Sequence, residues 1–469
     1  MTSRRHFLKT TSLAAAALAA PKLALGEPAA ANELRKQPNF VIILADDLGY
    51  GDITCFGSKR FKTPNVDAIA KAGLRMTDFH SNGAVCSPTR AALLTGRYQQ
   101  RSGITGVVTA KSHRHTGLDQ AEVTFAEVLK TAGYKTALFG KWHTGYAKEF
   151  NPTHQGFDEF RGYVSGNVDF HSHIDQEGHF DWWNGLKKED DKGYTTDLIT
   201  KYGCDFIRRH KDTPFCLYLP HEAPHYPLQG RNDPPQRSRK DGKDGQLVVD
   251  RDAVPKGAKA MRAYTEMIEV MDEGIGKVLE TLRECKLEND TIVLFFSDNG
   301  PAHEGSSGGL KGRKGSINEG GHRVPACVQW PGKIKAGTES AETMMGADVL
   351  VTLADAGGAK LPAERKFDGV SLMDHWTTGK ALAKRDLFWG VGKSIAIRSG
   401  KWKLIASGAS AKKKASAKAV AKGVQLYDLS KDIGERKNVA AQNPTVVKAL
   451  RVKLNAWMAD VTKGVKKRS

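Results

Sequence analysis

Short runs of uninterrupted apolar residues recur along the chain, and each ends in a polar cluster. They are Phe40–Ala45 (FVIILA), Thr136–Phe139 (TALF), Phe215–Leu219 (FCLYL) and Thr291–Phe296 (TIVLFF). Runs this short, without alternation, predict parallel strands covered on both faces. Ala263–Leu282 instead has helical periodicity, with Met267, Ile268, Met271, Ile275, Val278 and Leu279 on or near one face. It predicts a helix packed on the sheet. A second helix is expected over Asp348–Ala356. The pattern changes near residues 375–390. Beyond that point Ser394–Ile405 and Val424–Leu429 read as antiparallel strands, and Val446–Met458 as an amphipathic helix. The expected fold is α/β: a large mixed sheet sandwiched by helices over residues 37–380, then a small C-terminal α+β domain over 381–469.

The polar clusters after the apolar runs are the candidate chemistry, because open α/β sheets bind ligands at the carboxyl ends of their strands. Asp46-Asp47 follows the first run, and Ser297-Asp298-Asn299-Gly300 the last. Adjacent carboxylates repel unless a cation or protons neutralise them. If the two strands are close neighbours, Asp46, Asp47, Asp298 and Asn299 converge as hard oxygen donors. That set suits Ca²⁺ or Mg²⁺ rather than Zn²⁺. Gly140 is expected to turn the chain after the second run, leaving Lys141 and His143 at a strand end. Pro220 to Pro227 (PHEAPHYP) makes a stiff loop after the third run and carries His221 and His225. The glycines of Leu310–Pro325 (LKGRKGSINEGGHRVP) predict a loop approaching a ligand.

Cys86 to Gly96 (CSPTRAALLTG) reads as a helix start with a thiol just outside it. Ser87 is the expected N-cap, Pro88 the first helical residue and Gly96 the terminator. Cys86 would then sit at the positive end of a helix dipole, with Arg90 one turn on. That place favours a thiolate or any developing anion. Two segments stay open or bland. His154–Trp183 is rich in His and aromatics (Phe170, His171, His173, His179, Phe180, Trp182, Trp183), which can line a sugar-binding mouth or pack a long loop. Asp233–Asp252 reads as a polar surface insertion.

Charge and targeting narrow the class. The chain of 469 residues carries a formal net charge of +19, which favours anionic substrates or surfaces. Ser3-Arg4-Arg5-His6-Phe7-Leu8-Lys9 is a twin-arginine export pattern, followed by an apolar stretch, Leu13–Leu25, and small residues at 24–26. Residues 1–26 are therefore expected to be a bacterial signal peptide read by the twin-arginine export machinery. The destination is periplasmic or extracellular. The apolar stretch is too short for a stable membrane anchor. The lysine-rich run Ala411–Lys422 reads as a solvated hairpin loop. With Cys86 set aside, Cys55, Cys204, Cys216, Cys285 and Cys327 form an odd set with no disulfide framework or zinc spacing.

Cys86-x-Pro88-x-Arg90 followed by Leu93-x-Thr95-Gly96 resembles the signature of the formylglycine-dependent sulfatases, within the alkaline phosphatase superfamily. Gly133–His143 (GYKTALFGKWH) resembles their second signature. The resemblance implies that a maturation enzyme oxidises Cys86 to formylglycine. Its hydrate attacks sulfur, releases the alcohol and gives a covalent sulfate intermediate, and the second hydroxyl expels sulfate. It implies one divalent cation, usually calcium, on Asp46, Asp47, Asp298, Asn299 and the modified Cys86. Lys141 and His143 would contact the sulfate and the formylglycine. His225 would contact sulfate and act as acid to the leaving oxygen. His221 would bind substrate or support a partner. The Gly-x-Lys-Gly…Glu-Gly-Gly pattern maps a sulfate-binding lysine to Lys314, with Lys311 as fallback. Ile317-Asn318 departs from the family's commoner polar-aromatic pair. Arg90, Lys141 and Lys314 would hold charge on the oxygens. The export pattern, the basic charge and the aromatic faces of Phe170–Trp183 together make a sulfated carbohydrate the expected substrate, with no nucleic-acid partner. The rival readings are a phosphonate monoester or phosphodiester hydrolase with the same nucleophile and metal, and an inactive relative that holds sulfated glycans.

Overall fold

The computed structural model describes residues 37–408 and 423–468. The expected signal peptide and the lysine-rich run Ala411–Lys422 lie outside them. The backbone of the molecule is a ten-stranded mixed sheet. Its order is Thr338–Ser340, Leu74–Met76, Ala326–Gln329, Thr291–Ser297, Asn39–Ala45, Phe215–Pro220, Lys135–Lys141, Glu159–Tyr163, Trp183–Asn184, Lys187–Lys188. The five strands from Thr291–Ser297 to Glu159–Tyr163 run parallel, and antiparallel strands flank them on both sides. The apolar runs are thus the middle of the sheet, and alternate residues of each run feed opposite faces. Val41, Ile43 and Ala45 pack with the helices Pro64–Ala72, Thr195–Arg209 and Ala258–Glu284. Phe40, Ile42 and Leu44 pack with Cys86–Thr95, Phe125–Lys130 and Asp348–Gly357. Each fully buried aliphatic side chain of this kind contributes about 1.5–3 kcal/mol.

Gly140 does not turn the chain. It lies inside the strand Lys135–Lys141 at φ 127°, where an added Cβ would stand 2.2 Å from the Pro220 carbonyl oxygen of the neighbouring strand. Close strand approach, and not a turn, explains the glycine. Lys141 is therefore the last residue of a central strand and is held rigidly.

The small C-terminal sheet has four antiparallel strands, Asp386–Val391, Ser394–Ser399, Trp402–Ser407 and Val424–Asp428. The helix Pro444–Val461 covers it through Leu450, Leu454, Trp457 and Val461. Its first strand, DLFWGV, was not apparent from the hydrophobic pattern. This sheet bonds to connecting segments of the large domain. Trp389 Nε1 donates to the Ser81 carbonyl at 3.0 Å, and Lys403 Nζ donates to Glu319 Oε1 at 2.9 Å.

The aromatic stretch before Trp183 mostly packs its own loop. Trp182 is buried and stacks on His173 with centroids 4.1 Å apart, and buried Phe170 stacks on Tyr194 at 5.3 Å. The insertion after Asp233 carries a short antiparallel pair, Arg237–Arg239 with Leu247–Val249. All six cysteines are free thiols. No helix among the described residues is long and apolar enough to cross a membrane.

Candidate active site

The carboxyl ends of the central strands meet at one buried cluster of charge. The pairing of Asn39–Ala45 with Thr291–Ser297, in register from Asn39↔Thr291 to Ala45↔Ser297, puts Asp46-Asp47 beside Asp298-Asn299. Asp47 has a left-handed backbone, φ 65°, which Asp tolerates better than most residues. Its amide donates to Asp298 Oδ1 at 3.3 Å, and Asn299 Nδ2 donates to Asp47 Oδ1 at 2.7 Å.

Three cations close the cluster. Lys141 Nζ donates to Asp46 Oδ2. Arg90 Nη2 lies 3.0 Å from Asp298 Oδ2 and 3.5 Å from Asp46 Oδ2, while its Nη1 donates to the Lys141 carbonyl at 3.0 Å. Lys314 Nζ sits 2.7 and 2.8 Å from the two oxygens of Asp47. The fallback lysine is elsewhere: Lys311 Nζ donates to Tyr427 Oη at 3.1 Å and to the Glu435 carbonyl at 3.0 Å. Geometry therefore separates two lysines that the glycine pattern alone left competing.

Cys86 begins its helix, with Val85 in the N-cap position. Ser87 does not cap. Its Oγ accepts from the Val108 amide at 3.0 Å, a tertiary bond that displaces the local one. Gly96 ends the helix as expected, at φ 64°. Cys86 is 2% exposed. Burial pushes its thiol up to about 12, and the fields of Lys141 and Lys314 do not offset it. Burial is the larger influence on this thiol, and Lys141 and Lys314 act against it.

The histidines divide. His225 Nδ1 donates to the Tyr226 carbonyl at 2.7 Å, which leaves Nε2 as the lone-pair nitrogen, 3.6 Å from Asp47 Oδ2. Burial, then Lys314, lower its pKa to about 3. His143 Nε2 donates to the Val108 carbonyl at 3.0 Å, and burial with Lys141 and Arg90 keeps the ring neutral. Its Nδ1 has no partner among the described residues. His221 makes no hydrogen bond to the carboxylates. Burial alone lowers it to about 4, and its Nδ1 is unpartnered.

The donor set fits a hard divalent cation. Burial alone would raise Asp46, but Lys141, His225, Arg90 and Lys314 hold it well below the usual carboxylate range. Burial and neighbouring Asp46 push Asp298 up, against Arg90 and Lys141. Asp46 Oδ1 and Asn299 Oδ1 are buried without any hydrogen-bond donor among the described residues. Ligand atoms of Asp46, Asp47, Cys86 and His225 lie within 4.8 Å of one another. Orphaned buried oxygens converging from two strands are what a cation needs and what a finished hydrogen-bond network lacks.

Some contributors carried no sequence signal of their own. Buried Asp52 accepts from the Gly49 and Ser306 amides, both at 2.9 Å, and from Tyr264 Oη at 3.0 Å. It ties the loop after Asn299 to the loop after Asp47. Burial raises it to about 6. Glu222 lies inside the histidine loop, accepts from the Val168 amide at 2.8 Å and is raised well above its usual range by burial. A second buried cluster joins Glu319 and His322 of the glycine-rich stretch to His80, Lys403 and Glu435, which carried no signal in the sequence.

An open sheet between two helical layers, with an oxygen-rich cluster and a cysteine at a helix start on its carboxyl edge, defines a hydrolase of the alkaline-phosphatase-like fold. The family model described as Sulfatase matches residues 38–359. The chain is 33% identical to human arylsulfatase A, over 92% of this chain and 90% of that protein. It is 30% identical to the N-acetylgalactosamine-6-sulfatase of Rattus norvegicus, over 78% and 71% of the two chains. The crystal structure of Ps i-CgsB superposes with a TM-score of 0.79 at 27% identity, covering 92% of this chain and 94% of that one. The chain belongs to the sulfatase family and is a sulfuric ester hydrolase.

Proposed function

We propose that the protein hydrolyses sulfate esters of a carbohydrate at the Cys86 centre, with Cys86 as formylglycine and with a Ca²⁺ or Mg²⁺ ion on Asp46, Asp47, Asp298 and Asn299. The observation that carries this is the pair of orphaned oxygens, Asp46 Oδ1 and Asn299 Oδ1, beside a buried cysteine ringed by three cations. A thiol held protonated is a poor nucleophile at neutral pH, which favours a site built for another group at that carbon.

When bound, the cation supplies Lewis-acid stabilisation of charge on sulfate oxygens and acidifies a nearby hydroxyl. The side chains do the rest. Arg90 is pinned to Asp298 and to the Lys141 carbonyl, so it cannot swing away. Lys141 and Lys314 face Asp46 and Asp47 and present fixed positive charge to anionic oxygens. Lys314 is the partly exposed one of the three. His143, neutral and with a free Nδ1 lone pair, can take a proton from the nucleophilic hydroxyl. His225 Nε2 is a lone pair while Asp47 is its neighbour. An entering anionic ester raises its proton affinity, so Nε2 can carry a proton to the leaving oxygen.

The carbohydrate reading is supported by the basic chain and by the structure of Ps i-CgsB in complex with k-i-k-neocarrahexaose. Residues 1–26 would export the protein to the periplasm or beyond, residues 37–380 would form the catalytic domain, and 381–469 the small one. A maturation enzyme would supply the aldehyde. A screen of sulfated mono- and polysaccharides for released sulfate, alongside peptide mass spectrometry at Cys86, tests the reading. Full activity with an unmodified cysteine would overturn the nucleophile, and hydrolysis of aryl sulfates only would overturn the carbohydrate.

A further inference from the structure

Beside the cluster lies a cavity of 570 Å³ lined by Tyr226, His303, Leu247, Val249, Arg237 and Gln176. It is of a size that takes one or two sugar rings. Tyr226 and His303 of its lining join it to the sulfate-ester site. The Tyr226 ring stacks on His225 at 4.6 Å and stands edge-on to His303 at 5.4 Å. His303 in turn lies in the fields of Asp47 and Lys314.

The far wall comes from the short strand pair of the insertion. Leu247 and Val249 are 36% and 44% exposed there, an aliphatic surface with no cover of its own. Arg237 is different. It is 8% exposed, donates Nη1 to the Ile174 carbonyl at 3.3 Å and holds its guanidinium 6.0 Å from the Tyr226 ring centre. Among the described residues no carboxylate pairs with it. Glu177 and Glu222 feel its field without reaching ion-pair distance. Lys256 and Glu304 also line the cavity and offset each other in sign, so Arg237 sets its charge. A largely buried guanidinium without a carboxylate is costly unless a ligand supplies the anion. Its planar fork matches a sulfate or carboxylate.

We infer that this cavity receives the alcohol part of the ester, and that Arg237 selects alcohols bearing a second anionic group, a sulfate or a carboxylate. The inference rests on the sulfate-ester reading of the neighbouring centre. The aliphatic wall takes the C–H face of the sugar while the guanidinium takes the anionic oxygens. Substrates with a neutral leaving group fill the same space but leave Arg237 unpaired.

Binding separates this inference from catalysis. The Cys86→Ala protein, loaded with Ca²⁺, is titrated calorimetrically with a sugar monosulfate, the same sugar as a disulfate, and a sulfated uronate. The expected result is about tenfold tighter binding of either doubly anionic sugar. Arg237→Gln should remove that preference, and Arg237→Lys should keep part of it. A preference for the disulfate alone, or the uronate alone, identifies which anion is read. In the Cys86 enzyme, Arg237→Gln should raise KM for the doubly anionic sugar with kcat little changed, and leave kcat/KM for 4-nitrophenyl sulfate within about twofold. Equal affinity for mono- and dianionic sugars overturns the inference, as does an Arg237→Gln variant that loses aryl sulfate and sugar equally. Absence of sulfate release with the binding preference intact would instead overturn the proposed function.

Discussion

The loop from Leu310 to Arg323 joins two buried clusters of charge that look alike on paper. One gathers Asp46, Asp47 and Asp298 with Arg90, Lys141 and Lys314. The other gathers Asp78, Glu319 and Glu435 with Arg323, Arg398 and Lys403, around His80 and His322. Each balances carboxylates against cations, and each brings metal-capable side chains together. They differ in what is left over. In the second cluster Lys403 Nζ sits 2.9 Å from Glu319 Oε1, 3.0 Å from Glu435 Oε1 and 3.0 Å from His322 Nε2. His322 Nδ1 meets His80 Nδ1 at 2.9 Å, and His80 Nε2 meets Asp78 Oδ1 at 2.9 Å. An ammonium already stands where an ion would bind. In the first cluster Asp46 Oδ1 and Asn299 Oδ1 have no donor. Glu435 Oε1 also lacks a hydrogen bond, but the Lys403 ammonium stands 3.0 Å from it, whereas the ion pairs of Asp46 run through Oδ2; an orphaned oxygen with no cation against it is what separates a site from a strut.

The contrast breaks first at the nucleophile. Cys86→Ala should lower kcat by roughly 10⁴-fold or more while the melting temperature shifts by only a few degrees, since the side chain is small. A variant that keeps substantial turnover would remove Cys86 from the chemistry. Next comes the ion. Exhaustive chelation should abolish sulfate release, Ca²⁺ or Mg²⁺ should restore it, and the metal content should return to one ion per chain. Stoichiometric zinc, or a second ion at the His80–Glu319–His322 cluster, would erase the distinction drawn above.

The reverse experiment is on the strut. Lys403→Met leaves Glu319 and Glu435 without their ammonium and should cost about 3–5 kcal/mol in urea unfolding. Lys314→Met, at the partly exposed edge of the first cluster, should cost far less stability and far more activity. Equal stability losses would mean that both clusters are structural. The smallest effect is in acid. His221 is lowered to about 4 by burial, against an ordinary 6.5. Its folded-state pKa lies below the unfolded one, so the unfolded chain binds the extra proton between those values. Stability from this group is complete above about 6.5 and falls as pH drops towards 4. His221→Asn should flatten that slope by roughly 1–3 kcal/mol at pH 4, measured as unfolding free energy against pH. An unchanged slope would mean that His221 titrates normally.

Much of this could be read from the chain, for physical reasons that also mark where reading stops. The central strands were visible because a strand buried on both faces has no polar positions to blur it. Asp46-Asp47 and Asp298-Asn299 were visible because each follows such a run directly. Ser87 misled because its hydroxyl is recruited by Val108, a partner 21 positions away. Gly140 misled because a close neighbouring carbonyl and a turn both demand glycine. The burial that pushes the Cys86 thiol up has no sequence signature. Lys403, Glu319 and His80 come together from distant parts of the chain, and Arg237 sits in a segment whose polarity reads as surface.

The bond from Asn299 to Asp47 spans 252 positions, and that distance has a meaning in time. Parallel pairing across so long a stretch cannot begin until the later strand exists. On a ribosome, the strand Thr291–Ser297 emerges about two hundred residues after Cys86. At about 5–20 residues per second, that is a delay of roughly ten to forty seconds. During it the central sheet lacks one of its middle strands, and the helix that begins at Cys86 has an incomplete floor. In the finished fold the cysteine is 2% exposed, and the loop of Lys314, which comes later still, bonds beside it through Gly315 N–H to the Ala84 carbonyl at 2.7 Å. Any enzyme that must handle the Cys86 side chain therefore has an appointment with the unfinished protein, and the segments that follow Asn299 set the hour.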